Sequence, residues 1–157
     1  LEHKKCYRLI KGEVPEEDYR IPIGKADIKR AGRDMTVISY GLMLHYCLEA
    51  AQELAAEGVE VEVLDLRTLR PLDSEAIFSS VRKTSKALIV HEDNLTGGLG
   101  GEIAALIAQQ AFEYLDGPIT RMCAPDVPAM PYSKPLEDAF MLSPALIADA
   151  MRKLAAY

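Results

Sequence analysis

The chain has 157 residues, which is enough for one domain with a hydrophobic core and too few for two domains of ordinary size. With 49% hydrophobic and 27% charged residues, it has the composition of a globular protein. The formal net charge of −6 argues against nucleic acid as a partner, because binding phosphates requires a basic surface. No apolar run approaches the roughly 20 residues of a membrane-spanning helix, so we expect no membrane partner either.

The three cysteines are widely spaced and form no Cys-x-x-Cys pair; they are Cys6, Cys47 and Cys123. This pattern favours free thiols in a reducing compartment over disulfides or a zinc site. Because the first residue is Leu1 and charged residues follow at once, we also expect the sequence to be a piece of a longer protein.

The first 33 residues show little hydrophobic periodicity. Residues Cys6–Ile10 could form a short strand, but the stretch from Gly12 to Asp34 contains two prolines and an acidic run. Such a composition is typical of a linker or of an extended arm that crosses a surface. We therefore predict an arm over residues 1–33 and a folded domain over residues 34–157.

A regular alternation of strands and helices begins at Asp34. Residues Met35–Tyr40 are rich in β-branched side chains, which predicts a strand. An apolar stripe from Leu44 to Leu54 recurs at helical spacing, and Gly58 follows where a helix often ends in the left-handed conformation. Residues Val59–Val63 alternate between valine and glutamate, which predicts a strand with one wet face near a sheet edge.

The same alternation continues through the middle of the chain. Asp73 is a suitable N-cap for a helix over Ser74–Thr84. The wholly apolar Ala87–Val90 predicts a central strand that is covered on both faces. After a run with four glycines, a second helical stripe begins near Glu102, and Ile119–Cys123 predicts a further strand.

The last part of the chain divides into an irregular segment and a helix. Residues Ala124–Leu142 contain four prolines, which predicts mostly irregular structure. Ser143 as N-cap and Pro144 in the first turn then start a final helix. Strands that alternate with single helices imply right-handed crossovers, so we predict an α/β domain with a mainly parallel sheet and helices on both faces.

The glycine-rich segment after the central strand is the most distinctive feature. Backbone N–H groups at a helix N-terminus can bind phosphate, which would make the chain an independent phosphate- or nucleotide-binding module. However, Gly97, Gly98, Gly100 and Gly101 fit neither G-x-G-x-x-G nor a Walker motif, and Glu102 adds negative charge. We favour the alternative that the glycines permit a turn with positive φ and close helix–strand or subunit packing.

A cluster of ionisable residues, His91-Glu92-Asp93, ends the central strand. Imidazole and carboxylates are common acid–base groups and metal ligands, so a small stand-alone enzyme using His91 and Glu92 is a further hypothesis. Adjacent side chains of a strand point to opposite faces, however, and these two do not converge on one ion without a bend. We favour a histidine that is satisfied by hydrogen bonds.

Three separated motifs resemble one family; they are Leu64–Asp73, His91–Ala105 and Ala124–Pro128. The chain resembles the C-terminal half, the transketolase C-terminal domain, of the β subunit of thiamine-diphosphate-dependent 2-oxo acid dehydrogenases. Residues Leu1–Pro15 resemble the connection to the pyrimidine-binding N-terminal domain of that subunit. The start of the chain and Pro128–Tyr132 resemble the branched-chain type more than the pyruvate type.

The resemblance implies a three-layer α/β sandwich with a mostly parallel five-stranded sheet. It also implies oxidative decarboxylation of a branched-chain 2-oxo acid or pyruvate, with transfer of the acyl group to lipoyl-lysine. In this family the α subunit and the β N-terminal domain hold thiamine diphosphate and magnesium. We therefore assign no catalytic, cofactor-binding or metal-binding residue and expect this fragment to be inactive alone. The expected location is the cytoplasm of a bacterium or the mitochondrial matrix of a eukaryote.

The role left to this domain in such an enzyme is assembly. The resemblance implies an α2β2 heterotetramer with an α subunit and a second β subunit, and the predicted subunit or domain interface consists of His91, Glu92, Gly97, Gly98, Gly100 and Gly101. It also implies docking of the basic subunit-binding domain of the lipoyl acyltransferase, which an acidic surface would suit. We predict that Glu113, Asp116 and Tyr157, with its terminal carboxylate, contribute to that dock.

Overall fold

A five-stranded sheet forms the middle layer of the fold, in the strand order β1-β3-β2-β4-β5. The structure, a computed structural model, describes residues 3–157. Its strands are β1 (Asp27–Arg30), β2 (Met35–Ser39), β3 (Val61–Asp65), β4 (Ala87–Asn94) and β5 (Thr120–Ala124). Its helices are α1 (Cys6–Leu9), α2 (Leu42–Ala56), α3 (Ser74–Thr84), α4 (Leu99–Gln110), α5 (Lys134–Phe140) and α6 (Pro144–Ala155), with a 3₁₀ turn at Phe112–Tyr114 after α4.

The sheet is mostly parallel, as the resemblance implies. β2 pairs in parallel with β3 on one side and with β4 on the other, and β5 continues the parallel arrangement beyond β4. β1 pairs with β3 in the antiparallel direction. From β1 at one edge the chain crosses to β2 at the centre, goes back to β3 between these two strands and then passes to β4 and β5 on the other side, so that the strand order reverses between β2 and β4.

Helices cover both faces of the sheet, because alternate residues of a strand point in opposite directions. Val37 of β2 belongs to the core beneath α2 and α6, while its neighbour Ile38 belongs to the core beneath α3 and α4. Every residue of β2 is buried, as expected for a strand between two helical layers. The predicted three-layer α/β sandwich is confirmed.

The helix ends that the sequence indicates are confirmed. At the start of α3, Asp73 accepts a hydrogen bond from the N–H of Ala76 at 3.3 Å. At the start of α6, Ser143 accepts one from the N–H of Leu146 at 3.3 Å. These two caps satisfy N–H groups that the helices leave unpaired. After α2, Gly58 adopts a φ of 86°, the left-handed conformation predicted for it.

Several predicted boundaries are wrong. Cys6–Ile10 is not a strand, because the N–H of Cys6 donates to the carbonyl of His3 and the N–H of Ile10 to that of Cys6, which winds the segment into α1. The segment Ala124–Leu142 is mostly irregular, as predicted, but it also contains the short helix α5, whose Pro135 lies in the first turn, where a missing N–H costs no hydrogen bond. Similarly, α4 begins at Leu99, three residues before the predicted start.

The prediction of a wet face on β3 is also wrong. Glu62 is fully buried, accepts a hydrogen bond from Oγ of Ser80 at 2.6 Å and pairs with Lys83 of α3. A buried carboxylate is tolerated when it is paired and hydrogen-bonded. The alternation of valine and glutamate in the sequence does not show that a residue of a helix pairs with Glu62. For that reason the pattern predicted an exposed position where the structure has a buried one. β1 lies outside β3, which is thus second from the edge.

The antiparallel edge strand β1 lies in the region predicted as an arm, and no periodicity in the sequence indicates it. The motif Leu64–Asp73 holds the start of this strand: the N–H of Ala26 donates to Oδ2 of Asp73 at 3.1 Å, and that of Gly24 donates to Oγ1 of Thr68 at 3.1 Å. The domain boundary at residue 33 stays a prediction, but the chain before it already contributes a strand to the sheet.

Replacing Asp73 with alanine should lower the free energy of unfolding by more than the loss of a helix cap alone. One carboxylate oxygen caps α3 and the other accepts the N–H of Ala26, and each bond contributes about 1 kcal/mol. Ser143→Ala is the matched control, because the Ser143 hydroxyl accepts an N–H of its own helix. Urea unfolding measures both losses, and equal values would show that Asp73 does not stabilise the attachment of β1.

Candidate functional site

A histidine side chain from the preceding strand packs against the glycine-rich loop and accepts a hydrogen bond from it. The N–H of Gly100, in the first turn of α4, donates to Nε2 of His91 at 2.9 Å. A Cβ at Gly98 would lie 2.9 Å from Cε1 of His91, and a Cβ at Gly100 would lie 2.4 Å from Nε2. The imidazole therefore occupies the space that side chains at these two positions would take, and it caps the helix from a neighbouring element.

The imidazole of His91 is neutral, because Nε2 acts as a hydrogen-bond acceptor and the ring proton lies on Nδ1. Burial lowers the pKa of His91 below its ordinary value, although the carboxylate of Asp93 opposes this effect. Sγ of Cys123 lies 3.3 Å from the same Nε2, and burial raises the pKa of that thiol. The protonated thiol therefore lies beside a neutral ring whose Nε2 lone pair already accepts the N–H of Gly100, unlike the thiolate–imidazolium pair of a cysteine nucleophile.

The loop is also tied to the segment that follows β5. Asp126 accepts two hydrogen bonds from Thr96, one from its N–H at 3.0 Å and one from Oγ1 at 2.6 Å. These bonds lower the pKa of Asp126, so that its carboxylate stays charged at neutral pH. The N–H of Leu95 donates to the carbonyl of Ala124 at 3.1 Å. Two of the three motifs that carry the family resemblance, His91–Ala105 and Ala124–Pro128, therefore contact each other.

Glu92 points away from His91, as strand geometry predicts. Its Oε2 lies 2.5 Å from Nε2 of His3, which belongs to the N-terminal arm. The hypothesis of a convergent His91–Glu92 acid–base pair is therefore not supported. No group of three or more His, Cys, Asp or Glu side chains that could hold a metal occurs among residues 3–157.

The loop engages its own amides, which leaves them poorly placed for an anion. The N–H of Gly100 is used by His91, and the N–H of Gly101 donates to the carbonyl of Gly98 at 3.0 Å. Gly97 has a φ of 78° and makes the turn, as predicted for a glycine with positive φ. This geometry is close helix–strand packing, and it argues against the phosphate-binding alternative.

The residues predicted at a subunit or domain interface differ in exposure. Buried within the chain are His91, Gly98 and Gly100; Glu92 and Gly101 are half-buried, and Gly97 is exposed. Contacts within the domain explain the buried members without any partner. The assignment of this set to an interface stays a prediction, in which the exposed rim of the loop would make the contact.

The residues predicted to dock the acyltransferase lie at the opposite end of the sheet. The N–H of Asp116 donates to the carbonyl of Ser85 at 2.8 Å, just before the amino end of β4. A Cβ at Gly117 would lie 3.2 Å from Cβ of Tyr157, so the structure brings the Asp116 turn and Tyr157 together. Glu113 lies on the 3₁₀ turn before Asp116, and all three predicted residues are exposed.

The sequence reasoning missed Cys123 as a partner of His91 and missed the contact between Thr96 and Asp126. β4 and β5 pair in parallel with Val90 opposite Met122, which brings Cys123 beside His91. No spacing in a single sequence gives the register between two strands, because tertiary packing sets it. For the contact between Thr96 and Asp126, the only signal in the sequence was a short polar residue in each of two irregular loops. Such residues are too common in loops to predict a specific contact.

These features define a class of α/β domain in which the loop at the carboxyl ends of the strands is held by hydrogen bonds to side chains of the same domain. The described residues 3–157 offer exposed surfaces at both ends of the sheet, without a convergent set of catalytic groups. No helix within that range is long and apolar enough to cross a membrane.

Comparison with known families agrees with this class. The model of the family described as transketolase, C-terminal domain, matches residues 24–147, and the chain belongs to that family. Over all 157 residues the chain is 51% identical to the 2-oxoisovalerate dehydrogenase subunit beta of Bacillus subtilis, of which it spans 48%. It is 44% identical to the mitochondrial pyruvate dehydrogenase E1 component subunit beta of Dictyostelium discoideum over 92% of this chain and 40% of that protein.

Solved structures show the same fold. A split-gene transketolase, described as an inactive β4 tetramer, superposes with a TM-score of 0.76 and 28% identity over 92% of this chain and 46% of that chain. A transketolase from Pichia stipitis superposes with a TM-score of 0.55 at 12% identity over 84% of this chain and 18% of that chain, a likeness of fold alone. The chain spans about half the length of the curated relatives that it matches.

Introducing a methyl group at Gly100 should destabilise the domain by about 1–3 kcal/mol, because the new Cβ would lie 2.4 Å from Nε2 of His91. Gly101→Ala is a control in the same helical turn: its Cβ would lie 3.5 Å from Nη1 of Arg121, an ordinary contact. That variant should be neutral or more stable by up to about 1 kcal/mol, since alanine favours helix. Equal urea midpoints for the two variants would contradict the proposed packing.

The neutral state of His91 predicts that stability falls in acid. Burial lowers the pKa of His91 in the folded protein, whereas the unfolded chain binds this proton near pH 6.5. The unfolded state therefore binds more protons below about pH 6.5, and the free energy of unfolding decreases there by at most about 1.4 kcal/mol per pH unit. The free energy of unfolding should fall more between about pH 7 and pH 5 in the wild type than in His91→Gln, because glutamine does not titrate. Urea unfolding at several pH values measures this difference, and parallel curves of stability against pH for the two proteins would refute the prediction.

Proposed function

We propose that the chain is the C-terminal domain of the β subunit of a thiamine-diphosphate-dependent 2-oxo acid dehydrogenase. The observation that carries the proposal is the 51% identity over the whole chain to a 2-oxoisovalerate dehydrogenase subunit beta. The complete enzyme would oxidatively decarboxylate a 2-oxo acid and transfer the acyl group to lipoyl-lysine. The identity of 51% to that protein, compared with 44% and 48% to two pyruvate dehydrogenase subunits, supports a branched-chain substrate.

The residues of this chain do not fit thiamine diphosphate or its magnesium. The amides of Gly100 and Gly101 are already engaged, and Glu102 would place negative charge beside a diphosphate. Among residues 3–157 no acidic or histidine cluster suited to a metal is present. We propose that other parts of the assembly hold the cofactor and its magnesium. We further propose that the assembly lies in the cytoplasm of a bacterium or in the mitochondrial matrix of a eukaryote.

The contribution of this domain would be assembly. It would pack against the N-terminal half of its own subunit and help to build an α2β2 heterotetramer from two α and two β subunits. The chain enters the sheet through β1, which is held by the motif Leu64–Asp73. Movement of a preceding domain would therefore be transmitted to this domain through a strand and not through a loose tether.

A second contact would dock the basic subunit-binding domain of the lipoyl acyltransferase. Glu113 and Asp116 are exposed carboxylates, and close to them in the chain or in space are the rings of Phe112, 73% exposed, and Tyr157, 71% exposed. Carboxylates beside exposed aromatic rings suit an arginine-rich partner, because arginine binds both groups. The backbone bond from Asp116 to Ser85 holds this turn in place before a partner arrives.

Two of the three cations near Asp116 are paired with other carboxylates. Asp116 lines a depression of about 420 Å³ together with Arg33, Lys83 and Lys86. Lys83 is engaged by the buried carboxylate of Glu62, and Nε of Arg33 lies 3.7 Å from Oδ1 of Asp34. Two of the three cations therefore have carboxylate partners of their own, which leaves Asp116 able to accept hydrogen bonds from an incoming cation.

Replacing Asp116 with lysine in the complete β subunit, assembled with α, should weaken binding of the acyltransferase subunit-binding domain at least tenfold, about 1.4 kcal/mol. The dependence of the dissociation constant on salt should also become shallower, because one attractive charge pair is replaced by a repulsive one. Isothermal titration calorimetry at two or more salt concentrations measures both effects.

The matched control is Glu49→Lys, which makes the same change of charge at an exposed position of α2. It should leave the affinity within a factor of about two, because net charge alone then changes. An unchanged affinity in Asp116→Lys, or equal weakening in both variants, would exclude the Asp116 surface as the dock while leaving the family assignment intact.

A further inference from the structure

Two short helices, α1 and α5, have no buried residue within the part of the chain that the structure describes. The four longer helices, α2, α3, α4 and α6, each bury at least three residues. Helices of four and seven residues are too short to be stable by themselves in water, so packing against other surfaces must hold them. The domain supplies little of that packing for α1 and α5.

An open groove of about 650 Å³ lies between these two helices, and we call it the α1–α5 groove. Its floor is apolar, because Tyr46, Met141 and Leu142 pack against the core beneath α2 and α6 and remain half-buried. Leu9 of α1 lines one side and is 53% exposed, and Leu136 of α5 is 60% exposed. An apolar groove that continues the core in this way marks a contact with another protein surface.

The charged residues that line the groove are paired with one another. Nζ of Lys5 lies 3.6 Å from Oε1 of Glu137, which joins α1 to α5. Lys134 pairs with Asp138 within α5. The four charges cancel, so the groove offers mainly apolar surface to an occupant. Permanent interfaces are more apolar than those of transient partners, and the groove therefore suits a permanent one.

The first described residues of the chain lie beside the groove. Nε2 of His3 lies 2.5 Å from Oε2 of Glu92 near the end of β4, and Lys5 makes its pair with Glu137 two residues later. The chain spans 48% of the 2-oxoisovalerate dehydrogenase subunit beta that it matches. In the β subunit proposed above, a preceding half of similar length would join this chain at residue 1, next to the groove. A covalently attached domain has a high effective concentration at a nearby surface.

We propose that the α1–α5 groove is the surface on which the preceding half of the same β subunit packs. This inference rests on the proposed function, because it requires a subunit of which the chain is the C-terminal domain. Apolar side chains of the preceding half cover Leu9, Tyr46 and Met141, and their contact with both short helices stabilises these helices. The basic acyltransferase domain does not fit this groove, because the carboxylates of Glu137 and Asp138 are already paired.

Photo-cross-linking in the complete assembly identifies the occupant directly. Leu9 is replaced with p-benzoylphenylalanine in the complete β subunit, which is then assembled with the α subunit and irradiated. We expect a link to a peptide of the preceding half, and the linked β subunit should keep the mass of one chain because the link is intramolecular. A link to the α subunit, or a product with the mass of two β chains, would overturn the proposal.

The control position is Ile28 on the edge strand β1, outside the groove. Its side chain is 51% exposed, which matches the exposure of Leu9. The photoreactive residue at position 28 should link to the preceding half with a lower yield than the same residue at position 9. Equal yields at the two positions would show that the reaction does not report the groove, and they would contradict the proposal.

Hydrogen exchange supplies a second test. Amides of α1 and α5 should exchange at least about tenfold more slowly in the complete assembly than in this chain alone, because packing makes local opening less favourable. Leu9→Asp should remove this protection, since the contact would then bury an unpaired carboxylate. Ile28→Asp makes the same change of side chain outside the groove and should retain the protection. Equal exchange rates of α1 and α5 in the assembly and in the chain would contradict the proposal.

The activity of the same assembly separates this inference from the proposed function. If the assembly decarboxylates a 2-oxo acid with thiamine diphosphate but Leu9 links to the α subunit, the proposed function stands and the inference about the groove is wrong. If the assembled complete subunits show no such decarboxylation, the proposed function fails and the inference fails with it.

Discussion

The hydrogen bond from the N–H of Gly100 to Nε2 of His91 sets the geometry at the carboxyl end of the central strand. It requires a neutral imidazole, and burial maintains one by lowering the pKa of His91. It also requires the absence of side chains at Gly98 and Gly100, because a Cβ at either would overlap the ring. Gly98 and Gly100 are therefore explained by a histidine within the chain and not by a phosphate outside it.

This hydrogen bond also commits the polar groups around the loop to contacts within the domain. The N–H of Gly100 and the Cys123 thiol both lie against Nε2 of His91, whose Nδ1 is buried without a hydrogen-bond partner among residues 3–157. Glu92 is directed to the opposite face, towards His3. In an open α/β sheet the ligand crevice lies where the strand order reverses; here that crevice, between β2 and β4, is approached by the arm of the same chain. We propose that the domain contacts other molecules through the Asp116 turn at one end of the sheet and through the exposed part of the loop at the other end.

Much of the fold follows from local signals in the sequence. Asp73, Ser143 and Gly58 mark helix ends because their chemistry acts within a few residues. The errors arose where a distant partner decides the outcome. Glu62 is buried because Lys83 and Ser80 reach it from α3, and Cys123 meets His91 because two strands share a register. β1 has no periodicity of its own and depends on bonds to Thr68 and Asp73.

Calorimetric titration of thiamine diphosphate with magnesium tests most directly whether this is an assembly domain and not a cofactor site. The titration is made first into this chain alone and then into the complete β subunit mixed with the α subunit. We expect no heat of binding with the chain and clear binding with the mixture, since the amides of Gly100 and Gly101 are already engaged. Binding by the chain alone would contradict this and would make the loop at Gly97–Gly101 a cofactor site.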